Sequence, residues 1–189
     1  MKNTLRSIIR DSIAVKEQAL EKNLDALEDV SQACIRCLKG GGTLFFFGNG
    51  GSAADSQHVA AEFIGRFQKE RRALAAIALT TDTSILTSLA NDYSYDIVFS
   101  RQLEALGKKG DVAFGISTSG KSKNVLKAFE TARAKGMLTV AFTGGDGGPM
   151  AAGADIRIVV PSLVTARVQE SHSALFHAVC EVVENAFVS

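Results

Sequence analysis

The chain lacks an excess of either charge, and it has no long apolar run. Its 189 residues include 21 Lys and Arg against 20 Asp and Glu. A nucleic-acid surface or a polybasic membrane anchor needs a clear excess of cations, so this balance argues against both. The longest apolar runs, such as Thr43–Phe47, are far too short to span a bilayer. We therefore expect no nucleic-acid partner and no membrane partner.

Cysteines are few, and we expect no signal peptide in the first residues. The first ten residues, MKNTLRSIIR, carry charges where a signal peptide needs an apolar segment. Cys34, Cys37 and Cys180 form a sparse, odd-numbered set, which is typical of a reducing compartment. Cys34 and Cys37 do spell C-x-x-C, but in a helical stretch without a second pair, so buried thiols are favoured over a redox or zinc-knuckle site. We expect a cytoplasmic protein.

The apolar pattern predicts an α/β fold. Residues 3 to about 38 have helical spacing and neither Pro nor Gly, which predicts one long helix or two shorter ones. Short apolar runs then alternate with helical stretches, and none alternates cleanly between polar and apolar residues, as in strands covered on both faces. The predicted strands are Thr43–Phe47, Ala75–Leu79, Val112–Ile116, Leu138–Phe142 and Ile156–Val160. The later helices are predicted at Ser52–Arg66, Thr83–Ala90, Tyr95–Leu106, Ser122–Lys135 and Thr165–Phe187.

These elements predict a single domain over residues 1–189. Residues 1–40 would form an N-terminal helical extension. Residues 41–189 would form a three-layer α/β/α sandwich around a five-stranded parallel sheet. In such sheets, ligands bind beyond the carboxyl ends of the strands, where three polar loops of this chain are expected.

Two of these loops have the composition of an anion site. In Gly48–Ser52 the glycines allow the backbone to approach a ligand closely, and Ser52 is the predicted N-cap of a helix whose free N–H groups attract anions. In Ile116–Ser122 four hydroxyls surround another helix start, which suits a phosphomonoester or a phosphosugar. The third loop, Thr143–Pro149, predicts a tight turn after a strand, and Pro149 suits the first turn of a helix.

Other interpretations of these loops remain open. Gly48, Gly50 and Ala53 match the G-x-G-x-x-A dinucleotide fingerprint, but the acidic residue expected about twenty positions further on is missing. The second loop lacks the spacing of a Walker loop. A tight turn or ordinary helix capping, with no ligand, is the alternative for both.

His58 and Glu62 lie one helical turn apart on the helix that follows the first loop. Residues at i and i+4 share a helix face, and an imidazole beside a carboxylate can chelate zinc or shuttle protons. A surface pair without a function is the alternative. The other two histidines, His172 and His177, lie in the last predicted helix. A core histidine is the usual role for one of them, and composition does not say which.

Several segments together resemble the phosphoheptose isomerases of the sugar isomerase (SIS) domain family. They are FGNGGSAADSQHVAAEF, LANDYSYDIVFSRQLEALGKKGDV, GISTSGKSKNV, TGGDGG and ARVQESHSALFH. The resemblance covers nearly the whole chain. It implies the SIS fold and a homotetramer with active sites near subunit interfaces. It also implies conversion of D-sedoheptulose 7-phosphate to D-glycero-D-manno-heptose 7-phosphate, the first step of bacterial nucleotide-activated heptose synthesis for lipopolysaccharide and related polysaccharides.

The same resemblance implies a set of site residues. One zinc ion per subunit or site would be bound by His58, Glu62, Gln169 and His177. The phosphosugar substrate would be bound by Asn49, Gly50, Gly51, Ser52, Glu62, Asn91, Asp92, Ser117, Thr118, Ser119, Ser122 and Gln169. His172 is not a ligand in this match.

Glu62 and His177 are the candidate catalytic residues. Aldose–ketose isomerisation moves a proton between C1 and C2 through an enediol, which requires a base and an acid. We assign to Glu62 the transfer of the proton from C1 to C2, and to His177 the transfer of a proton between the two oxygens. Zinc would polarise the carbonyl. A branch of similar SIS proteins is non-catalytic and associates with the replication initiator. That branch lacks the residues matching Glu62 and His177, so their presence here favours the enzyme.

The predicted zinc ligands raise a geometric difficulty. In a straight helix, the Cα atoms of Gln169 and His177 are about 12 Å apart, and the directions in which their side chains leave the helix axis differ by about 80°. Either the helix is locally distorted or neighbouring subunits supply different ligands. We also expect His58 and Glu62 to face the same cavity as the Ser117–Ser122 turn.

Overall fold

A five-stranded parallel sheet lies between two layers of helices in the computed structural model, which describes residues 1–188. The strands, in the order β2-β1-β3-β4-β5 across the sheet, are β1 (Leu44–Gly48), β2 (Ala76–Ala78), β3 (Val112–Ser117), β4 (Leu138–Gly144) and β5 (Ile156–Val160). The helices are α1 (Lys2–Lys39), α2 (Gly51–Ile64), α3 (Thr83–Asp92), α4 (Ser100–Leu106), α5 (Lys123–Ala134), α6 (Gly148–Gly153) and α7 (Thr165–Asn185). This confirms the predicted three-layer fold. Ser189, the last residue of the predicted domain, lies outside the described residues.

Alternate strand residues enter two separate cores, which explains why the strands are apolar throughout. Phe46 and Phe114 pack with α1, α2 and α7 on one face of the sheet. Phe45 and Phe47 pack with α4 and α5 on the other face. Because both faces are covered, neither set of positions tolerates the polar residues of a half-exposed strand.

One helical prediction needs correction. The predicted helix Tyr95–Leu106 is instead a 3-10 turn over Tyr95–Ile97 followed by α4. The Ser94 hydroxyl accepts a hydrogen bond from Asp96 N at 3.1 Å, which starts the short turn separately from the helix. The sequence indicated a helix start at Pro149 without giving bounds, and the structure has the short helix α6 there, with Pro149 in its first turn. Propensity is a weak guide for segments this short.

The N-terminal extension is one continuous helix, and its first turns project from the body of the molecule. Every residue from Met1 to Asp11 is exposed. Further along, the buried Asn23 amide bonds to β5, donating to Val159 O at 3.1 Å and accepting from Val159 N at 2.8 Å. Residues 1–188 contain no helix with both the length and the apolar composition needed to cross a bilayer.

Two of the predicted ligand loops lie side by side at the carboxyl ends of the neighbouring strands β1 and β3. The strand order reverses between β1 and β3, and ligands bind at such a switch point in open α/β sheets. The Gly48–Ser52 loop leaves β1 there, and the Ser117–Ser122 turn leaves β3. The third loop packs against the second, because a Cβ atom on Gly120 would collide with the backbone of Gly147.

Gly120→Ala should therefore destabilise the fold more than Gly110→Ala. Both glycines have positive φ, 64° and 92°, so alanine is strained at either position. Only at Gly120 does the new methyl group also meet backbone, whereas the space around Gly110 is open. We expect Gly110→Ala to lower the free energy of unfolding by about 1 to 2 kcal/mol and Gly120→Ala to lower it further. Urea denaturation of both variants measures this, and equal losses would contradict the packing argument.

Candidate active site

The two loops at the switch point are joined by a pair of amides. Asn49 Nδ2 donates to Asn124 Oδ1 at 3.0 Å, and Asn124 Nδ2 donates back to Asn49 Oδ1 at 2.9 Å. Asn124 is buried in the first turn of α5. Sequence reasoning did not single it out, although it lies within the GISTSGKSKNV segment. The reciprocal bonds hold the glycine loop and the serine-rich turn in a fixed relation.

The Ser117–Ser122 turn presents its hydroxyls together. Ser117 Oγ lies 2.9 Å from Ser122 Oγ and 3.5 Å from Ser119 Oγ. Beside the turn is a cavity of about 340 Å³. It is lined by Thr118, Ser119, Lys121, Gly144, Gly145, Asp146, Ser162, Leu163 and Thr165. Clustered hydroxyls next to a lysine can donate hydrogen bonds to an anion such as a phosphate.

Ser52 does not cap α2, contrary to the prediction. The N-cap is Gly50, whose φ of 58° turns the chain into the helix, and the Ser52 side chain is buried one residue inside the helix. A residue with positive φ is needed at this corner, and glycine adopts it without strain. Asn91 and Asp92 lie at the exposed end of α3, where Asn91 Nδ2 donates to Asp92 Oδ1 at 2.8 Å, and neither lines the cavity beside the serine-rich turn.

Helices α2 and α7 run side by side and in the same direction. Near the start of α2, a side chain on Gly51 would collide with the Gln169 amide. One turn later, Ser173 Oγ lies 3.2 Å from Asp55 Oδ1. The other carboxylate oxygen of Asp55 is buried without a hydrogen-bond partner among residues 1–188, and burial raises the pKa of this group above its ordinary value. After another turn, His177 meets His58.

His58, Glu62 and His177 converge on one point. His58 Nε2 lies 3.0 Å from His177 Nε2 and 3.2 Å from Glu62 Oε1, and all three ligand atoms are within 4.8 Å of one another. Tetrahedral zinc with bonds of about 2.0–2.1 Å would place its ligand atoms roughly 3.3 Å apart. The three side chains therefore fit one tetrahedral ion without large movement.

Gln169 lies apart from these three within the chain. Its amide packs against Gly51, about two helical turns before His58. Helix α7 is continuous over Thr165–Asn185, so a locally distorted helix does not bring Gln169 and His177 together. A contribution from a neighbouring subunit is the other explanation for this ligand pair, and it stays a prediction.

The expectation that one cavity joins the cluster to the serine-rich turn stays a prediction. None of the three cluster residues lines the cavity beside that turn. Helix α2 leads away from the loop edge, and seven residues separate Gly51 from His58, a rise of about 10 Å. The His58 side chain is 54% exposed, so this face of the helix pair is open.

His172 is a core residue. Its side chain is fully buried beside Phe142, and its Nε2 lies 3.1 Å from Thr143 O. Burial disfavours the charged imidazolium and lowers the pKa of His172 to about 4, although the bond to the Thr143 carbonyl acts in the opposite direction. His172 is therefore neutral at physiological pH and faces away from the cluster on α2.

Comparison with known proteins decides the family. The SIS domain family model matches residues 9–144. A phosphoheptose isomerase of Sulfurimonas denitrificans is 48% identical over 186 residues, covering 97% of this chain and 95% of that protein. The solved phosphoheptose isomerase of Neisseria gonorrhoeae superposes with a TM-score of 0.92 at 43% identity, covering 97% of this chain and 98% of its own. The chain belongs to the phosphoheptose isomerases of the SIS domain family.

A second solved phosphoheptose isomerase, from Francisella tularensis, gives a TM-score of 0.93 at 34% identity, with 97% of each chain covered. Membership in the phosphoheptose isomerases makes this chain an isomerase. The non-catalytic regulator, the alternative considered from the sequence, is therefore set aside.

Stability should depend on pH through His172. Its pKa is about 4 in the folded protein and ordinarily near 6.5, so the unfolded chain takes up a proton first as the pH falls. The contribution of the neutral side chain is fully present above pH 6.5 and is lost between pH 6.5 and about 4. His172→Gln cannot titrate, so its stability relative to the native protein should rise as the pH falls through this range. Urea titrations at several pH values measure this, and a constant difference would contradict it.

Proposed function

We propose that this phosphoheptose isomerase converts D-sedoheptulose 7-phosphate to D-glycero-D-manno-heptose 7-phosphate with the help of one bound zinc ion per site. The convergence of His58, Glu62 and His177 carries the proposal, because it supplies an imidazole pair and a carboxylate at bonding distance from a common point. Imidazole nitrogen and carboxylate oxygen are typical ligands of a catalytic zinc ion. When bound, the ion would act as a Lewis acid toward the sugar carbonyl and hydroxyl oxygens.

Glu62 is the proposed base. It takes the proton from C1 of the ketose and returns it to C2, so that the reaction passes through an enediol and no atom is gained or lost. Glu62 Oε1 faces His58 Nε2, which leaves Oε2 to take the proton. This division answers the difficulty that a metal-bound carboxylate is a weaker base. The side chain is 25% exposed, so a substrate can reach it.

His177 is the proposed acid that moves a proton between O1 and O2. Its Nε2 lies 3.0 Å from His58 Nε2, so without metal one of these nitrogens donates a hydrogen bond to the other. Both nitrogens would be unprotonated when they hold the ion, which leaves Nδ1 of His177 to carry the proton. The hydroxyls of Ser117, Thr118, Ser119 and Ser122 would bind the phosphate at the far end of the sugar. Remote binding of this kind orients the reacting carbons.

We further propose a homotetramer in which neighbouring subunits complete each site. The projecting part of α1 exposes Leu5, Ile9 and Ile13 at successive i+4 positions, and Leu20 and Leu24 continue this apolar face. A helix face of this kind is typical of a packing surface. A neighbour over the open α2–α7 face can bring its own Gln169 or its serine-rich turn to the cluster, which one chain does not do.

The pathway and the location follow as parts of the same proposal. The product is the precursor required for nucleotide-activated heptose in lipopolysaccharide and related polysaccharides. We propose that the reaction takes place in the cytoplasm, the compartment expected from the three cysteines, which are free and buried in the structure.

Glu62→Gln should leave the fold intact and remove turnover. The amide keeps the size of the side chain but cannot take a proton, and the loss of a general base costs about 100- to 10,000-fold. Conversion of sedoheptulose 7-phosphate, together with metal analysis of the purified protein, measures both parts of the proposal. Glu130→Gln, on the exposed face of α5, is the matched control. A near-normal rate in Glu62→Gln would exclude the base role.

The assembly proposal predicts that activity depends on the exposed face of α1. The double variant Ile9→Asp, Ile13→Asp should dissociate into monomers and lose both turnover and zinc affinity, because buried carboxylates would face one another across the interface. Lys22→Asp adds a carboxylate to an exposed position of the same helix and should change neither. Light scattering verifies the mass, and turnover by a verified monomer would exclude a shared site.

A further inference from the structure

The end of α2 is held by a buried ion pair that sequence reasoning did not identify. Arg71 Nε lies 3.5 Å from Glu184 Oε1, and the two side chains are 1% and 2% exposed. Arg71 lies in the segment that leads from α2 to β2, and Glu184 lies in the last turn of α7. A charge pair with so little exposure is costly to bury unless its other polar atoms also find partners.

Both Nη atoms of Arg71 donate to the end of α2, and Nη1 also donates to the carbonyl of Arg72 at 3.1 Å. Its Nη2 donates to the carbonyl of Glu62 at 2.7 Å, and its Nη1 donates to the carbonyl of Gly65 at 2.6 Å. The final carbonyl groups of a helix have no partner within the helix. Arg71 satisfies two of them and so holds the backbone of the turn that carries the Glu62 carboxylate.

Glu184 binds the backbone segment that follows α2. Its carboxylate accepts hydrogen bonds from the N–H groups of Phe67 at 2.8 Å, Gln68 at 2.8 Å and Lys69 at 2.9 Å. The Phe67 ring then packs against the imidazole of His177, with the two ring centres 5.4 Å apart. Glu184 thus fixes the backbone of the residue whose ring packs against His177.

We propose that Arg71 and Glu184 are positioning residues that set the geometry of the His58–Glu62–His177 cluster. Arg71 holds the backbone of Glu62, and Glu184 holds the backbone of Phe67, whose ring packs against His177. Neither side chain belongs to the cluster. The inference rests on the proposed metal-assisted isomerisation, in which the cluster must be formed before the substrate binds.

A purely structural role would have a different consequence. If the pair only anchored the loop, its loss would lower the stability without a selective effect on the cluster. Asp111 provides the comparison, because it is also buried and also accepts two backbone hydrogen bonds, from Thr43 N at 2.8 Å and Lys108 N at 2.9 Å. It lies just before β3, at the amino ends of the strands, opposite to the end where the ligand loops lie.

The test compares Glu184→Gln and Arg71→Lys with Asp111→Asn. The amide that Glu184→Gln introduces would turn an N–H group toward backbone donors, and a lysine cannot reach both carbonyls with a fork of nitrogens. Zinc is titrated into the metal-free proteins in the presence of a competing chelator. We expect zinc to bind about 10- to 100-fold more weakly to Glu184→Gln and Arg71→Lys, as for other supporting residues of metal ligands. Asp111→Asn should be less stable to heat but unchanged in zinc affinity.

Crystal structures of the metal-free proteins keep this inference separate from the zinc proposal. The Nε2 atoms of His58 and His177 should move apart from their 3.0 Å separation in Glu184→Gln and keep it in Asp111→Asn. If the native protein binds no zinc, the metal proposal fails and this distance alone decides the positioning role. An unchanged cluster in folded Glu184→Gln, or an equal zinc defect in Asp111→Asn, would overturn the inference.

Discussion

Helices α2 and α7 pack on one face of the sheet over a group of buried phenyl rings. Phe46 of β1 stacks on Phe63 of α2, with ring centres 6.1 Å apart, and meets the edge of Phe176 of α7 at 6.2 Å. Phe142 stacks on the same Phe176 ring at 3.9 Å. These contacts fix both helices against the strands and so fix their alignment with each other. The catalytic proposal depends on that alignment, because His58 and His177 meet only when the two helices keep it.

The candidate site has two parts that one chain holds separately. At the switch point of the sheet, the Asn49–Asn124 amide pair joins the glycine loop to the serine-rich turn, whose composition suits a phosphate. The three-residue cluster lies down the outer face of the helix pair, where it is open to the surface. A sugar phosphate needs both parts at once. The open cluster and the exposed apolar face of α1 are explained together if neighbouring subunits bring the two parts into one site.

The fold alone does not distinguish an isomerase from a related binding protein, because one fold hosts many functions. The local chemistry distinguishes them. Two imidazoles and a carboxylate converge closely enough to bind one ion, and a buried arginine–glutamate pair supports the backbone around them. The polar side chains of the core and those of the cluster have different roles. His172 and Asn23 satisfy backbone groups in the core, whereas His58, Glu62 and His177 direct their polar atoms toward a common point near the surface.

The order of apolar runs and helical stretches determined the layers, the parallel sheet and the edge at which the loops gather, because these follow from local periodicity and chain connectivity. The spacing of His58 and Glu62 placed them on one helix face for the same reason. Sequence reasoning failed where local backbone geometry decides, as in the 3-10 turn before α4 and at the N-cap of α2, where Gly50 has positive φ. Composition left open which histidine joins His58, and the family resemblance implied His177, which the tertiary structure brings there. Only the tertiary structure brought Arg71 to Glu184. Residues more than 100 positions apart meet according to how two helices rotate and slide on the phenyl rings beneath them, and no local pattern in the chain encodes that rotation.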